Sequence, residues 1–164
     1  CSFKNISIRT DLQPGDIGYV THLHGSMYAE EYQYGISFEA YVAKGFYEFY
    51  SQYDPKKDRV WICEDNGRIV GFLLGMHREN QTAQLRYFIL LPGYRGLGLG
   101  RKLMELYMEF LREKNYWACY LWTTREQAAA AYLYKKFGFE LTEEKPSNAF
   151  GKELMEQRYD LHLV

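Results

Sequence analysis

No stretch of this 164-residue chain approaches the ~18 unbroken apolar residues of a membrane-spanning helix, so a spanning segment is not expected. Charge of one sign is also missing. Twenty Lys and Arg against 21 Asp and Glu leave a net charge of −1, and no broad electrostatic footprint for nucleic acid is expected. Cysteine is scarce: Cys1, Cys63 and Cys119 form no CxxC pair. Cys63 and Cys119 lie in apolar, strand-like runs and read as buried, reduced thiols. No signal-peptide pattern is seen, so a reducing cytoplasm is the expected compartment. No HxxxH or similar cluster accompanies the histidines, and no metal is expected. Internal repeats, low-complexity tracts and linkers are absent, which leaves residues 1–164 as one expected domain.

What is present is ordinary globular material, 47% hydrophobic and 25% charged, with one excess. Aromatic residues make up 18%, with 16 Tyr, 10 Phe and 3 Trp. The tyrosines are concentrated: Tyr28, Tyr32, Tyr34, Tyr41, Tyr47, Tyr50 and Tyr53 place seven within 26 residues, beside Phe38, Phe46 and Phe49. Such rings either fill a core or line a pocket.

Periodicity and turn chemistry predict the order β-α-α-β-β-β-α-β-α-β-β. Phe3–Arg9 alternates as a strand. Pro14 suits a first helical turn and Gly15–Tyr32 follows as a helix. Ser37 is placed to cap a second helix. Its apolar positions Phe38, Tyr41, Val42, Phe46, Phe49 and Tyr53 recur at three- and four-residue spacing. Arg59–Glu64 and Arg68–His77 flank Asn66-Gly67, a strong hairpin signal. Thr82–Leu91 is a strand ended by Pro92-Gly93, and Leu99–Glu113 an amphipathic helix. Tyr116–Thr123 is a strand, Glu126–Phe137 a helix stopped by Gly138, and Phe139–Thr142 and Leu154–Leu163 the closing strands. Hairpins require antiparallel pairing, and the β-α-β stretch from Thr82 to Thr123 requires a parallel pair. The fold class is α/β (α+β), a mixed sheet with helices on its faces.

The most informative segment runs Leu90-Leu91-Pro92-Gly93-Tyr94-Arg95-Gly96-Leu97-Gly98-Leu99-Gly100-Arg101-Lys102. A strand enters, glycines crowd the turn and a helix leaves. Unpaired backbone N–H groups at a helix start favour a phosphate, and Arg95, Arg101 or Lys102 can add charge-assisted bonds. A Walker A loop is excluded, because Leu99-Gly100 follows Gly98 where Lys and Ser or Thr are needed. A GxGxxG dinucleotide fingerprint also fails, with Gly100 one residue early. The pattern [Q/R]xxGx[G/A] fits at Arg95, Gly98 and Gly100, against the alternative of a merely tight strand–helix turn.

That pattern is the pyrophosphate-binding motif of the GNAT acetyltransferase superfamily, and the whole chain resembles a GNAT domain. Ala130-x-x-Leu133-Tyr134-x-x-Phe137-Gly138-Phe139 is similar to a second signature of the family. Together the two motifs cover about residues 82–142. His22-x-His24-Gly25-x-x-Tyr28-Ala29-x-Glu31-Tyr32, with Tyr34-Gly35 and Phe38-Glu39-Ala40, resembles bacterial members often fused behind a MarR-like regulator. On that resemblance this chain is the C-terminal part of a longer protein.

The resemblance implies a mostly antiparallel sheet of six to seven strands, splayed between strands 4 and 5, with four helices on its faces. It implies acetyl-coenzyme A as co-substrate, lying where those two strands separate. Pantetheine then pairs with the backbone of Phe88, Ile89 and Leu90. Pyrophosphate meets the N–H groups of Gly96, Gly98 and Gly100, flanked by Arg95 and Arg101. A backbone N–H near Ile89 or Leu90 serves the oxyanion. Tyr134 protonates the departing thiolate, against the alternative of a packed helix tyrosine. Gln127 stands where the family often has Asn, and either bonds pantetheine or is a solvated helix residue.

No acid lies between Ala83 and Leu91, where some members keep a base. At 100° per residue, Ile17, Val20, His24, Met27, Tyr28 and Glu31 share one stripe of the first helix. Ionisable groups on such a stripe need a partner or a task. Glu31 is therefore the candidate to bind or deprotonate the amine, and His24, Tyr28 and Tyr34 the candidate acceptor wall. A buried His24–Glu31 pair is the structural alternative, and a helix break at Gly25-Ser26 would void the angular argument. An aromatic wall favours a flat or cationic acceptor. The expected activity is N-acetylation of a primary amine on a small molecule or protein by direct transfer. The competing reading is a non-catalytic acyl-coenzyme-A-sensing domain. Expected partners are the amine acceptor and, as a homodimer, a second copy of the chain. Neither nucleic acid nor membrane is expected.

Overall fold

Asn66 and Gly67 both take positive φ, 53° and 79°, and close β2 (Arg59–Asp65) onto β3 (Arg68–His77) as the hairpin chemistry requires. The computed structural model describes residues 5–164. Phe3, Lys4 and Cys1 lie outside the described residues. The expected first strand is seen as β1 (Ile6–Arg9). Then come α1 (Asp16–Tyr32), α2 (Ile36–Ser51), the hairpin, β4 (Thr82–Leu90) and a 3₁₀ turn at Pro92–Tyr94. The chain continues with α3 (Leu99–Glu113), β5 (Ala118–Thr124), α4 (Ala128–Lys136), β6 (Glu140–Ser147) and β7 (Leu154–His162). The seven strands form a mixed sheet in the order β1-β2-β3-β4-β5-β7-β6. The chain divides into two compact units, which are described in turn.

The first unit comprises residues 1–12, 54–120 and 161–164. It contains β1 to β4 in antiparallel register, α3 and the start of β5. Helix α3 buries Leu99, Leu103, Met104, Tyr107, Phe110 and Leu111, each worth about 1.5–3 kcal/mol of transfer free energy at full burial. It approaches the sheet at Gly75, where an added Cβ would lie 2.7 Å from the Tyr107 ring and 2.9 Å from Phe110. Trp61 packs edge-on against both rings. Cys119 and Cys63 are buried and in no disulfide, as expected, and burial pushes the Cys63 pKa up to about 12.

Strand β4 is bulged. Phe72 faces Ile89 and Leu74 faces Arg86, so Tyr87 and Phe88 together oppose Leu73, with Tyr87 at φ 60°. Its parallel pairing with β5 covers only Thr82–Gln84 against Ala118–Tyr120, three residues of a nine-residue strand. This short ladder is the expected splay between strands 4 and 5.

The second unit comprises residues 13–53 and 121–160. Asp16 starts α1 by accepting the Gln13 N–H at 2.7 Å. Pro14 precedes the Gly15 cap instead of opening the helix. Gly25-Ser26 does not break α1. The Gly25 Cα faces the Glu39 side chain of α2, with no room for a Cβ unless that side chain moves. Ser37 is not the cap of α2. Gly35 holds that position without a side-chain bond, and the helix starts at Ile36. Val42, Phe46, Phe49 and Phe38 are buried as the periodicity predicts, but Tyr41 is 48% exposed at the edge of that face. Strand β6 runs to Ser147, five residues beyond its expected end. As an outer strand it tolerates Pro146, and it pairs with β7 with a register shift between Leu141 and Glu143. Helix α4 is shorter than expected at both ends. On β7, Gln157 and Tyr159 are buried at alternate positions.

Candidate active site

In the first unit, β4 leads through the 3₁₀ turn to the start of α3. Gly96 and Gly98 take φ 76° and 88°, the left-handed region that only glycine enters freely. Gly98 is the N-cap of α3 and no side chain caps the helix. The first turn carries no acid and instead bears Arg101 and Lys102. Cations at a helix N-terminus oppose the helix dipole, so this turn is suited to a bound anion. No atom lies within 4 Å of where a Cβ would sit on Gly93 or Gly96, which leaves the backbone approachable. Arg95 donates its Nε–H to the Leu90 carbonyl at 3.1 Å, joining the turn to the end of β4. Tyr94 bonds Asp65 through its hydroxyl, fixing the 3₁₀ turn against β2. The glycines and basic residues expected to take pyrophosphate therefore stand together, directly after Phe88, Ile89 and Leu90. These residues fit a pyrophosphate.

In the second unit the expected residues converge on Tyr28. Its ring stacks on Phe38 at 4.9 Å and 9°, and lies 5.5 Å from His24 and 5.9 Å from Tyr34. Its hydroxyl donates to Gln127 Oε1 at 3.3 Å. Burial pushes the Tyr28 pKa well above that of an ordinary phenol, and Tyr134, Tyr32, Tyr34 and Glu31 add to the shift in the same direction. Both residues expected to be catalytic, Tyr134 and Glu31, thus act electrostatically on this hydroxyl. Tyr134 is 5% exposed and packs against Phe139 and Tyr159.

His24 is 2% exposed and donates Nδ1–H to the Val20 carbonyl at 2.9 Å. Burial, opposed by that bond, lowers its pKa to about 4, so it is neutral at pH 7. Tyr34 is 3% exposed, enclosed by Phe38 and Phe150, and shares a 2.7 Å bond with Thr124 Oγ1. Burial outweighs that bond and raises its pKa to about 12. A ring so enclosed shapes a wall from within it. Gln127 is not a free surface residue: its Nε2 donates to Thr124 Oγ1 at 3.1 Å while its oxygen receives Tyr28.

Residues absent from the expectations complete this half. Phe150 covers Tyr34, Phe38 and Tyr41. Lys152 bonds Glu126 and the Tyr32 carbonyl, both at 2.8 Å. Both residues come from the connection between β6 and β7, which carries no periodicity to flag them. Glu126 and Lys152 also line an open cavity of about 1010 Å³, together with Arg125, Ser147, Asn148 and Met155. Among the described residues no group of three or more His, Cys, Asp or Glu could hold a metal ion. No helix there is long and apolar enough to cross a membrane.

A bulged fourth strand running into an uncapped, glycine-built helix start, within a seven-stranded mixed sheet, defines the acetyltransferase fold class. The chain belongs to the acetyltransferase (GNAT) family, whose model matches residues 22–139. It is 36% identical over 98 residues to YjgM, an uncharacterized N-acetyltransferase of Escherichia coli K12. That match covers 57% of this chain and 58% of the relative, so the chain spans little more than half the relative's length. In structure it resembles a GNAT acetyltransferase of Staphylococcus aureus Mu50, with a TM-score of 0.76 at 20% identity, over 97% of this chain and 99% of the other. A GNAT acetyltransferase of Elizabethkingia anophelis, solved with acetyl-CoA bound, gives a TM-score of 0.67 at 16% identity over 98% and 99% of the two chains.

Proposed function

We propose that this chain is an acetyl-CoA-dependent N-acetyltransferase that moves an acetyl group directly to a primary amine of a small molecule or protein. The observation that carries the proposal is the start of α3, an uncapped helix N-terminus with two positive-φ glycines and two cations but no acid. Family membership and the acetyl-CoA-bound neighbour from Elizabethkingia support the choice of that anion.

Acetyl-CoA supplies an acetyl thioester. The N–H groups of Gly96, Gly98 and Gly100, with Arg95 and Arg101, hold the pyrophosphate. The backbone of Phe88, Ile89 and Leu90 holds the pantetheine arm. Tyr134 gives its proton to the departing sulfur, since a phenol is ordinarily protonated at neutral pH. Glu31 takes the proton from the acceptor ammonium, and Tyr28 presents the aromatic face that orients the amine. Neutral His24 braces Tyr28, while Gln127 positions the Tyr28 hydroxyl.

The absence of an acid between Ala83 and Leu91 favours the second reading, an acyl-CoA-sensing domain of a regulator. Release of free thiol from acetyl-CoA across a panel of amines decides between the two. Saturable acetyl-CoA binding with no thiol released for any amine would leave only the sensor.

A further inference from the structure

We propose that Lys152, paired with Glu126, is a positioning residue that sets acceptor binding by latching the β6–β7 connection onto the end of α1. The inference rests on the acetyltransferase reading and deepens its acceptor side.

The connection after Ser147 is held by contacts of three kinds. The Gly35 N–H, at the start of α2, donates to the Phe150 carbonyl at 2.8 Å. Gly151, at φ 87°, lies so close to Gly35 that an added Cβ would sit 3.3 Å from the Gly35 nitrogen. Phe150 is buried against Tyr34 and Phe38 at 5.3 and 4.9 Å. Lys152 adds an ion pair to this set of contacts. Its ammonium spans two segments, the last carbonyl of α1 at Tyr32 and the Glu126 carboxylate before α4, both at 2.8 Å.

Glu126 also terminates a hydrogen-bond chain whose direction the donor chemistry dictates. The Tyr28 O–H donates to Gln127 Oε1 at 3.3 Å, and Gln127 Nε2 donates to Thr124 Oγ1 at 3.1 Å. The Tyr34 O–H donates to Glu126 Oε1 at 3.4 Å, so Thr124 must donate to Tyr34 across the 2.7 Å contact. Every bond then points from Tyr28 toward Glu126, and Lys152 neutralises the carboxylate at the end. Removing the ammonium loosens Glu126, releases Tyr34 and, through Thr124 and Gln127, unsettles Tyr28. The same loss frees Phe150 from the aromatic cluster and opens the cavity that Lys152, Glu126 and Ser147 line.

The test follows thiol release from acetyl-CoA with spermidine, tyramine and a peptide with a free N-terminus, in wild type, Lys152→Met, Lys152→Arg and Glu126→Gln. Amide exchange at Gly35 is measured in the same proteins. For whichever amine wild type turns over, Lys152→Met should raise its KM tenfold or more. The KM for acetyl-CoA should stay within twofold, and the Gly35 amide should exchange faster. Lys152→Arg should restore most of the acceptor KM. Glu126→Gln keeps an oxygen for Tyr34 but loses the charge; it should raise the same KM, and it carries the test if Lys152→Met does not fold. An acceptor KM within twofold of wild type in these variants overturns the latch, as does unchanged Gly35 exchange. Wild-type protein that releases no thiol with any amine overturns the acetyltransferase reading itself, and the inference falls with it.

Discussion

Tyr28 shows what burial does to a phenol beside other phenols and a carboxylate. Ionising Tyr28 would place a charge in poorly solvated surroundings near Glu31, so the hydroxyl remains a donor across the working pH range. On the proposed mechanism, Tyr134→Phe removes the proton that the departing sulfur needs. The kcat should fall about 10²-fold or more, with acetyl-CoA affinity unchanged by calorimetry. A kcat equal to wild type would return Tyr134 to the packed core of α4. Glu31→Gln should lower turnover or raise the acceptor KM in steady-state assays. If neither moves, the carboxylate serves structure alone. Tyr28 and Tyr134 were legible from motif and stripe, whereas Thr124 and Glu126 were not. Their part depends on the Tyr28 chain of hydrogen bonds, which joins residues about a hundred positions apart.

Among the elements, the start of α3 and the face it buries separate binding from stability. Gly98→Val forces a β-branched residue into φ 88°. It should cost about 1–2 kcal/mol of strain and weaken acetyl-CoA binding at least tenfold by titration. Unchanged affinity would mean that the turn does not hold the anion. Gly75→Val leaves the turn intact but drives side-chain atoms into the fully buried rings of Tyr107 and Phe110. The expected loss is about 1–3 kcal/mol, read as a lower denaturant midpoint. Gly93→Ala, with open space around it, should leave that midpoint within about 0.5 kcal/mol of wild type. Most helix and strand positions were readable because burial repeats with the element's own period. The caps of α1 and α2 were misread at Pro14 and Ser37, since Gly15 and Gly35 end up at those positions without a side-chain bond.

For the whole molecule, the burial of His24 ties stability to pH in the mildly acidic range. Its folded pKa, about 4, lies below the unfolded value of 6.5. Between these values the unfolded chain binds the extra proton, so stability is complete above pH 6.5 and falls as the pH drops toward 4. The full effect is about 3 kcal/mol by linkage. Urea midpoints at pH 7 and pH 5 should therefore differ more in wild type than in His24→Leu. An equal drop in both proteins would assign the acid sensitivity elsewhere.

By itself the amino-acid order determined the alternation of strands and helices, the Asn66-Gly67 hairpin and the glycine-rich turn before α3. Each of these follows from local conformational preference or from a period that neighbouring residues share. Only the tertiary structure decided that Tyr41 lies exposed while Tyr34 is enclosed, that Gln127 serves Tyr28 and Thr124, and that Lys152 ties the β6–β7 connection to α1. Those outcomes depend on contacts between residues far apart in the chain. There, the distance between two side chains is set by how helices and strands pack, and spacing along the sequence carries no record of it.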